Sequence, residues 1–98
     1  MLTRESILNK VKENLTKINS FGIINIGLFG SAVRDEVKAD SDLDFVVEFA
    51  KGKKTFDNYM DAKFFLQDVF NREIDLVIKE NIKPELKEYI LKDIIYAA

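Results

Sequence analysis

Between Leu28 and Phe49 the chain does something most folds do not tolerate. An apolar run, Ile23 to Phe29, stops at Gly30-Ser31; ten residues later two aspartates, Asp42 and Asp44, flank Leu43 and lead straight into Phe45-Val46-Val47. Aspartate is disfavoured in strands, so two of them opening an apolar strand is a costly arrangement to keep without a use. Side chains alternate along a strand with period two. Asp42 and Asp44 therefore share one face, about 6.6 Å apart along the strand, while Leu43, Phe45, Val47 and Phe49 take the other.

A third carboxylate fits the same pattern. Glu73-Ile74-Asp75-Leu76-Val77-Ile78 also reads as a strand, with Asp75 opposite in facing to Ile74, Leu76 and Ile78. If the two strands are neighbours, roughly 4.8 Å apart, Asp42, Asp44 and Asp75 meet on one face. Gly30-Ser31 supplies a complementary feature. A glycine lets backbone approach an anion closely, and a serine opening a helix adds a hydroxyl to amides that have no partner within the helix. The expectation is a phosphate seat beside clustered acids, and such neighbours require divalent cations to offset their repulsion.

What the chain lacks narrows the chemistry. It has no Cys and no His, so thiolate zinc sites, cysteine nucleophiles and imidazole bases are excluded. Acid–base and metal work must fall to carboxylates, which favour hard cations such as Mg²⁺. The net charge of −2 argues against direct nucleic-acid binding, which calls for a basic surface. No apolar run approaches the ~20 residues of a membrane span, and Met1 to Glu5 lacks the apolar core of a signal peptide, so a cytoplasmic location is expected. The 98 residues, 47% hydrophobic and 33% charged, suit one domain over residues 1–98.

The remaining elements follow from periodicity. Leu2 to Asn19 predicts one amphipathic helix, capped by Thr3 and buried through Ile7, Leu8, Val11, Leu15 and Ile18. Phe21-Gly22 marks a turn before the Ile23–Phe29 strand, and Ser31 to Val37 predicts a short polar helix. Lys38 to Ser41 is a loop, and Asp42 to Phe49 is the second strand, on which Glu48 lies on the acid face as a solvated or paired residue. Lys51-Gly52-Lys53-Lys54 is a basic loop, either a solvated connection or a source of one lysine for phosphate or an acidic partner. Thr55 caps a helix to Phe70, whose apolar residues (Phe56, Tyr59, Met60, Phe64, Phe65, Leu66, Val69 and Phe70) are expected to be mostly core, with stacking on a base as the alternative for Tyr59. That helix is long enough to cross between parallel strands, so the Asp42 and Arg72–Lys79 strands are expected to be parallel neighbours. Pro84 starts a final helix to Lys92, and Ile94-Ile95-Tyr96 adds an edge strand. The fold class is α/β (α+β): a small mixed β-sheet flanked by helices.

Gly30-Ser31, ten residues, Asp42-x-Asp44 and then Asp75 on a later strand resembles the nucleotidyltransferase superfamily typified by DNA polymerase β, and in particular its minimal nucleotidyltransferase branch. The resemblance extends over nearly all of the chain. It implies a nucleotidyltransferase fold in which Asp42, Asp44 and Asp75 hold two Mg²⁺ ions, Gly30 and Ser31 grip a nucleoside triphosphate, and Arg34 assists. Two positions depart from the family pattern: Ala32 stands where many relatives carry Arg, and Asp35 where Gly is common.

The implied reaction is attack of an acceptor hydroxyl on the α-phosphorus of ATP, with pyrophosphate leaving. Minimal nucleotidyltransferases are commonly antitoxins of a HEPN ribonuclease toxin, so the resemblance implies AMP transfer to a tyrosine of such a partner within a hetero-oligomer. Two alternatives stay open on the residues alone: a small-molecule nucleotidyltransferase of the aminoglycoside-modifying kind, and a binding-only antitoxin without catalysis.

Overall fold

The structure, a computed structural model, describes residues 2–38 and 40–97; Ala39, in the expected Lys38–Ser41 loop, lies outside them. Four strands form one mixed sheet: β1 (Ile23–Phe29), β2 (Leu43–Phe49), β3 (Ile74–Ile78) and β4 (Ile95–Tyr96), in the order β3-β2-β1-β4. β1 runs antiparallel to both β2 and β4, and β2 runs parallel to β3. Helices α1 (Arg4–Glu13), α2 (Leu15–Ser20), α3 (Phe56–Phe70) and α4 (Pro84–Lys92) flank it.

The expected N-terminal helix is two helices. Thr3 caps α1 through a reciprocal bond pair with Ser6. Asn14 then interrupts it: its amide bonds back to Val11 at 3.0 Å, and its side-chain Nδ2 donates to Lys10 O at 2.8 Å. Asparagine's ability to satisfy nearby backbone with its own side chain makes it a weak helix-interior residue. The apolar stripe survives the break, since Ile7, Val11 and Ile18 are buried and Leu8 and Leu15 pack against the same core.

Helix α3 carries the chain from β2 back to the start of β3, the crossover that parallel pairing requires. Thr55 Oγ1 accepts from the Asn58 amide at its start, and Asn71, in the left-handed region, ends it. Ala62, Leu66 and Phe70, four residues apart, form its buried line, with Tyr59, Phe65 and Val69 beside them. Phe70 meets Phe45 of β2 with ring centroids 5.8 Å apart. Phe56 and Phe64 depart from the expected core: they are 77% and 53% exposed. Neither falls on the line set by positions 62, 66 and 70, and tertiary packing, not hydrophobicity, decides which aromatics are covered.

The sheet buries most of one face. Leu43, Phe45 and Val47 of β2, Ile74 and Leu76 of β3, and Ile26 and Leu28 of β1 belong to the core. The other face carries Asp44, Glu48 and Asp75, and is roofed at its centre: a Cβ on Gly27 would lie 2.8 Å from Ile94 and 3.1 Å from Tyr96. The acids therefore stand at the end of a partly covered face. The assignment of the α3 stripe has a direct check. Leu66→Ala should cost about 2–5 kcal/mol of unfolding free energy, and Phe64→Ala should stay within about 0.5 kcal/mol of wild type, as read by denaturant titration.

Candidate active site

The site is assembled where β1 ends. Gly30 has φ +78°, a region that a side chain rarely occupies, and a Cβ there would collide with the Asp44 carboxylate. Glycine is thus demanded twice, once by the turn and once by the close approach of Asp44. After it the chain forms a 3-10 helix, Gly30–Arg34, in place of the expected α-helix to Val37. Asp35, in the left-handed region at φ 56°, stops it, and its carboxylate accepts from the Arg4 amide at 2.6 Å. Arg4 in turn donates from its guanidinium to Val33 O at 3.0 Å. Asp35 therefore stands where the family often has Gly because it can adopt that backbone while satisfying the free amide at the start of α1. Ala32 is buried in the core, so no cation is placed there.

Asp44 and Asp75 are register partners on the parallel strands β2 and β3, which brings both carboxylates to one face as their strand positions imply. Asp44 is half-buried and Asp75 exposed. Asp42 is exposed and sits just before β2 instead of within it. Its loop is held from behind: Arg72 Nη1 donates to Lys38 O and Ser41 O, both at 3.0 Å, and Ser41 bonds back to Lys38 through side chain and backbone. Sequence reading passed over Arg72, since only the fold shows that the residue leading into β3 reaches the loop before β2.

Crowding shows in the electrostatics. Burial pushes the Asp44 carboxyl up from its ordinary value near 3.8 to about 6, with contributions from the charge of Asp75, a hydrogen bond shared with it, and the charge of Asp42. Such a group suits a cation that would offset the repulsion. Among the described residues, however, no three acids converge closely enough to cage an ion unaided. What the structure does supply is the register pair Asp44 and Asp75, and Mg²⁺ is bound by one or two carboxylates with water and substrate phosphate completing its shell.

Glu48 on the acid face and Tyr59 on α3 are both accounted for structurally. Glu48 accepts from Asn25 and pairs with Lys79 at 3.2 Å, and these partners, Asn25 first, hold its carboxyl below the usual range. Tyr59 donates to Leu76 O at 2.6 Å with its ring against the core, so it is not free to stack on a base. The basic loop follows Phe49, at the far end of β2 from Asp44. Five residue steps, about 17 Å, separate it from the acids, and Lys54 pairs with Glu80 at 3.0 Å; no lysine of this loop reaches a phosphate at Gly30. Arg34 does lie at the site, exposed and paired with Glu36 at 3.3 Å.

The raised Asp44 pKa has a consequence for stability. Because the folded state holds the proton more tightly than the unfolded one, the stabilisation is fully present below about pH 3.8 and is lost as pH rises through about 6. Asp44→Asn, which never ionises, should therefore melt above wild type at pH 7.5 in the presence of chelator, and the gap should close below pH 4. A melting series across that range checks it; equal melting temperatures at pH 7.5 would contradict the crowding.

Comparison with known proteins agrees with this geometry. The profile of the nucleotidyltransferase domain family matches residues 6–97. A relative named protein adenylyltransferase MntA, from Thermococcus cleftensis, is 34% identical over 92 residues, covering 94% of this chain and 90% of the relative. A solved structure described as a candidate minimal nucleotidyltransferase superposes with TM-score 0.83 at 28% identity, over 96% of this chain and 95% of that one. The fold also recurs, at 18% identity and TM-score 0.69, in an MNT antitoxin solved with tri-AMPylated Shewanella oneidensis HEPN toxin, over 98% of this chain and 72% of that one. With strand order, acid pairing and family profile in agreement, the chain belongs to the nucleotidyltransferase domain family.

Proposed function

We propose that this chain transfers AMP from ATP to a tyrosine hydroxyl of a HEPN-family toxin, silencing it as the antitoxin of a hetero-oligomeric pair in the cytoplasm. The observation that carries the reading is the register pairing of Asp44 with Asp75, with the Asp44 carboxylate directly against Gly30. It puts a phosphate-approachable turn and paired carboxylates in one place. The choice of AMP and of a protein acceptor is supported by the name of the 34%-identical Thermococcus relative, a protein adenylyltransferase. The toxin is supported by the fold shared with antitoxins solved with AMP-PNP and with an AMPylated HEPN partner.

In this reading Gly30 and Ser31 grip the triphosphate through backbone amides and the Ser31 hydroxyl, and Arg34 adds charge at the same end. Asp42, Asp44 and Asp75 would hold two Mg²⁺ ions, which when bound neutralise phosphate charge and polarise the attacking and leaving oxygens. The acceptor oxygen forms a bond to the α-phosphorus as the bond to the bridging oxygen of the β-phosphate breaks, and pyrophosphate departs. Asp75, the exposed member of the acid pair, takes the acceptor's proton. Arg72 keeps the Asp42 loop in place throughout.

Intact mass of a candidate toxin after incubation with this chain, ATP and Mg²⁺ should show added AMP. Asp44→Asn should cut that transfer by about 10²–10³-fold while still co-purifying with the toxin. If the variant neutralises the toxin as well as wild type does without transfer, control is steric and the binding-only reading replaces this one.

A further inference from the structure

Two of the larger hollows in the surface lie away from the acids. One borders Phe49, Ile78 and Lys87, the other Phe56, Tyr59 and Ile78, both reaching the ends of β2 and β3 opposite to Asp44 and Asp75. A smaller recess is different in kind. It measures about 130 Å³, is lined by Phe29, Gly30, Arg34, Tyr89, Ile90 and Asp93, and lies between the 3-10 helix and α4. Gly30 is shared: Asp44 presses against it, and it also forms part of the recess wall.

We infer that this recess is the nucleoside subsite of the donor, with Tyr89 as the platform for the base and Asp93 as a hydrogen-bond acceptor; the inference rests on the nucleotidyl-transfer reading above. Size is the first argument. At about 130 Å³ the recess is small, fitting a single flat ring system better than a peptide segment. It also falls short of the ~300 Å³ at which drug-sized ligand pockets begin. Position is the second. A nucleotide whose phosphates sit at Gly30 and Ser31 has its nucleoside end within reach of a cavity that begins at Gly30 itself.

Chemistry is the third argument. Tyr89 is 78% exposed, and α4 buries none of its residues, so the ring is presented without a protein partner. Half-buried Ile90 supplies an apolar wall beside it. Bases stack on aromatic faces irrespective of sequence because every base has a π-face. The Asp93 carboxylate accepts hydrogen bonds only, which matches the N–H of an exocyclic amine or the O–H of ribose. Arg34, across the recess from α4, adds a guanidinium plane that can stack or reach phosphate.

The test compares ATP with inorganic tripolyphosphate, each with Mg²⁺, by calorimetry on the full chain without any partner. Wild type should bind ATP more tightly than tripolyphosphate. Tyr89→Ala should weaken ATP about tenfold and leave tripolyphosphate unchanged, while Tyr89→Phe should match wild type. The exposure of Tyr89 means these variants should melt with wild type. Unaltered ATP binding by Tyr89→Ala, or equal wild-type affinity for ATP and tripolyphosphate, overturns the subsite and leaves the transfer reading standing. Failure of wild type to bind either compound overturns both.

Discussion

The crowding of Asp44 is the constraint around which the rest of the molecule is arranged. Its carboxyl is half-buried, stands beside Asp75 across the strand pair, feels the charge of Asp42, and fills the space that a side chain at Gly30 would need. Each contact would be relieved by a neutral residue, so the arrangement is a stored cost that a cation and a phosphate can offset. The position of every nearby element follows from bearing that cost. Glycine at position 30 leaves room for the carboxylate, parallel pairing of β2 with β3 brings Asp75 to it, and the packed face on the other side of the sheet resists the repulsion.

Support comes from residues that never face the site. Arg72 spans two carbonyls of the loop before Asp42, and Asp35 ties the end of the 3-10 helix to the first amide of α1. These bonds join stretches about thirty residues apart in the chain. They fix the loop and the turn from behind, leaving the acid face for ligand. The same division appears along β2, where Leu43, Phe45 and Val47 are buried while Asp44 and Glu48 point the other way. Glu48 shows what an acid on this face does when it is structural, since it is paired with Asn25 and Lys79. Asp44 instead faces another acid, Asp75.

Much of the fold was legible from local rules. The limits of β1, of α3 from its Thr55 cap, and of α4 from Pro84 to Lys92 coincide with the sequence reading, because capping residues and apolar periodicity act within a few positions of themselves. The parallel neighbourhood of β2 and β3 was legible too, since a helix of α3's length leaves little alternative. Reading failed where a single residue competes with its surroundings. Asn14 splits the first helix by bonding its own preceding turn, and Asp35 ends the segment after Gly30 by adopting a left-handed backbone that only its tie to Arg4 explains.

Spacing by itself determined that Asp44 would face away from Leu43, Phe45 and Val47, and Asp75 away from Ile74 and Leu76, because strand alternation is a property of the backbone and needs no partner. Which aromatics would be covered could not be read in this way: Phe64 and Phe65 are adjacent and equally apolar, and only the orientation of α3 on the sheet separates them. Nor could the sequence show that the basic loop lies at the wrong end of β2, that Arg72 anchors the Asp42 loop, or that Tyr89 and Asp93 border Gly30. These are relations between segments distant in the chain. They depend on how the sheet is ordered and how α4 returns to β1, and only the tertiary structure decides that.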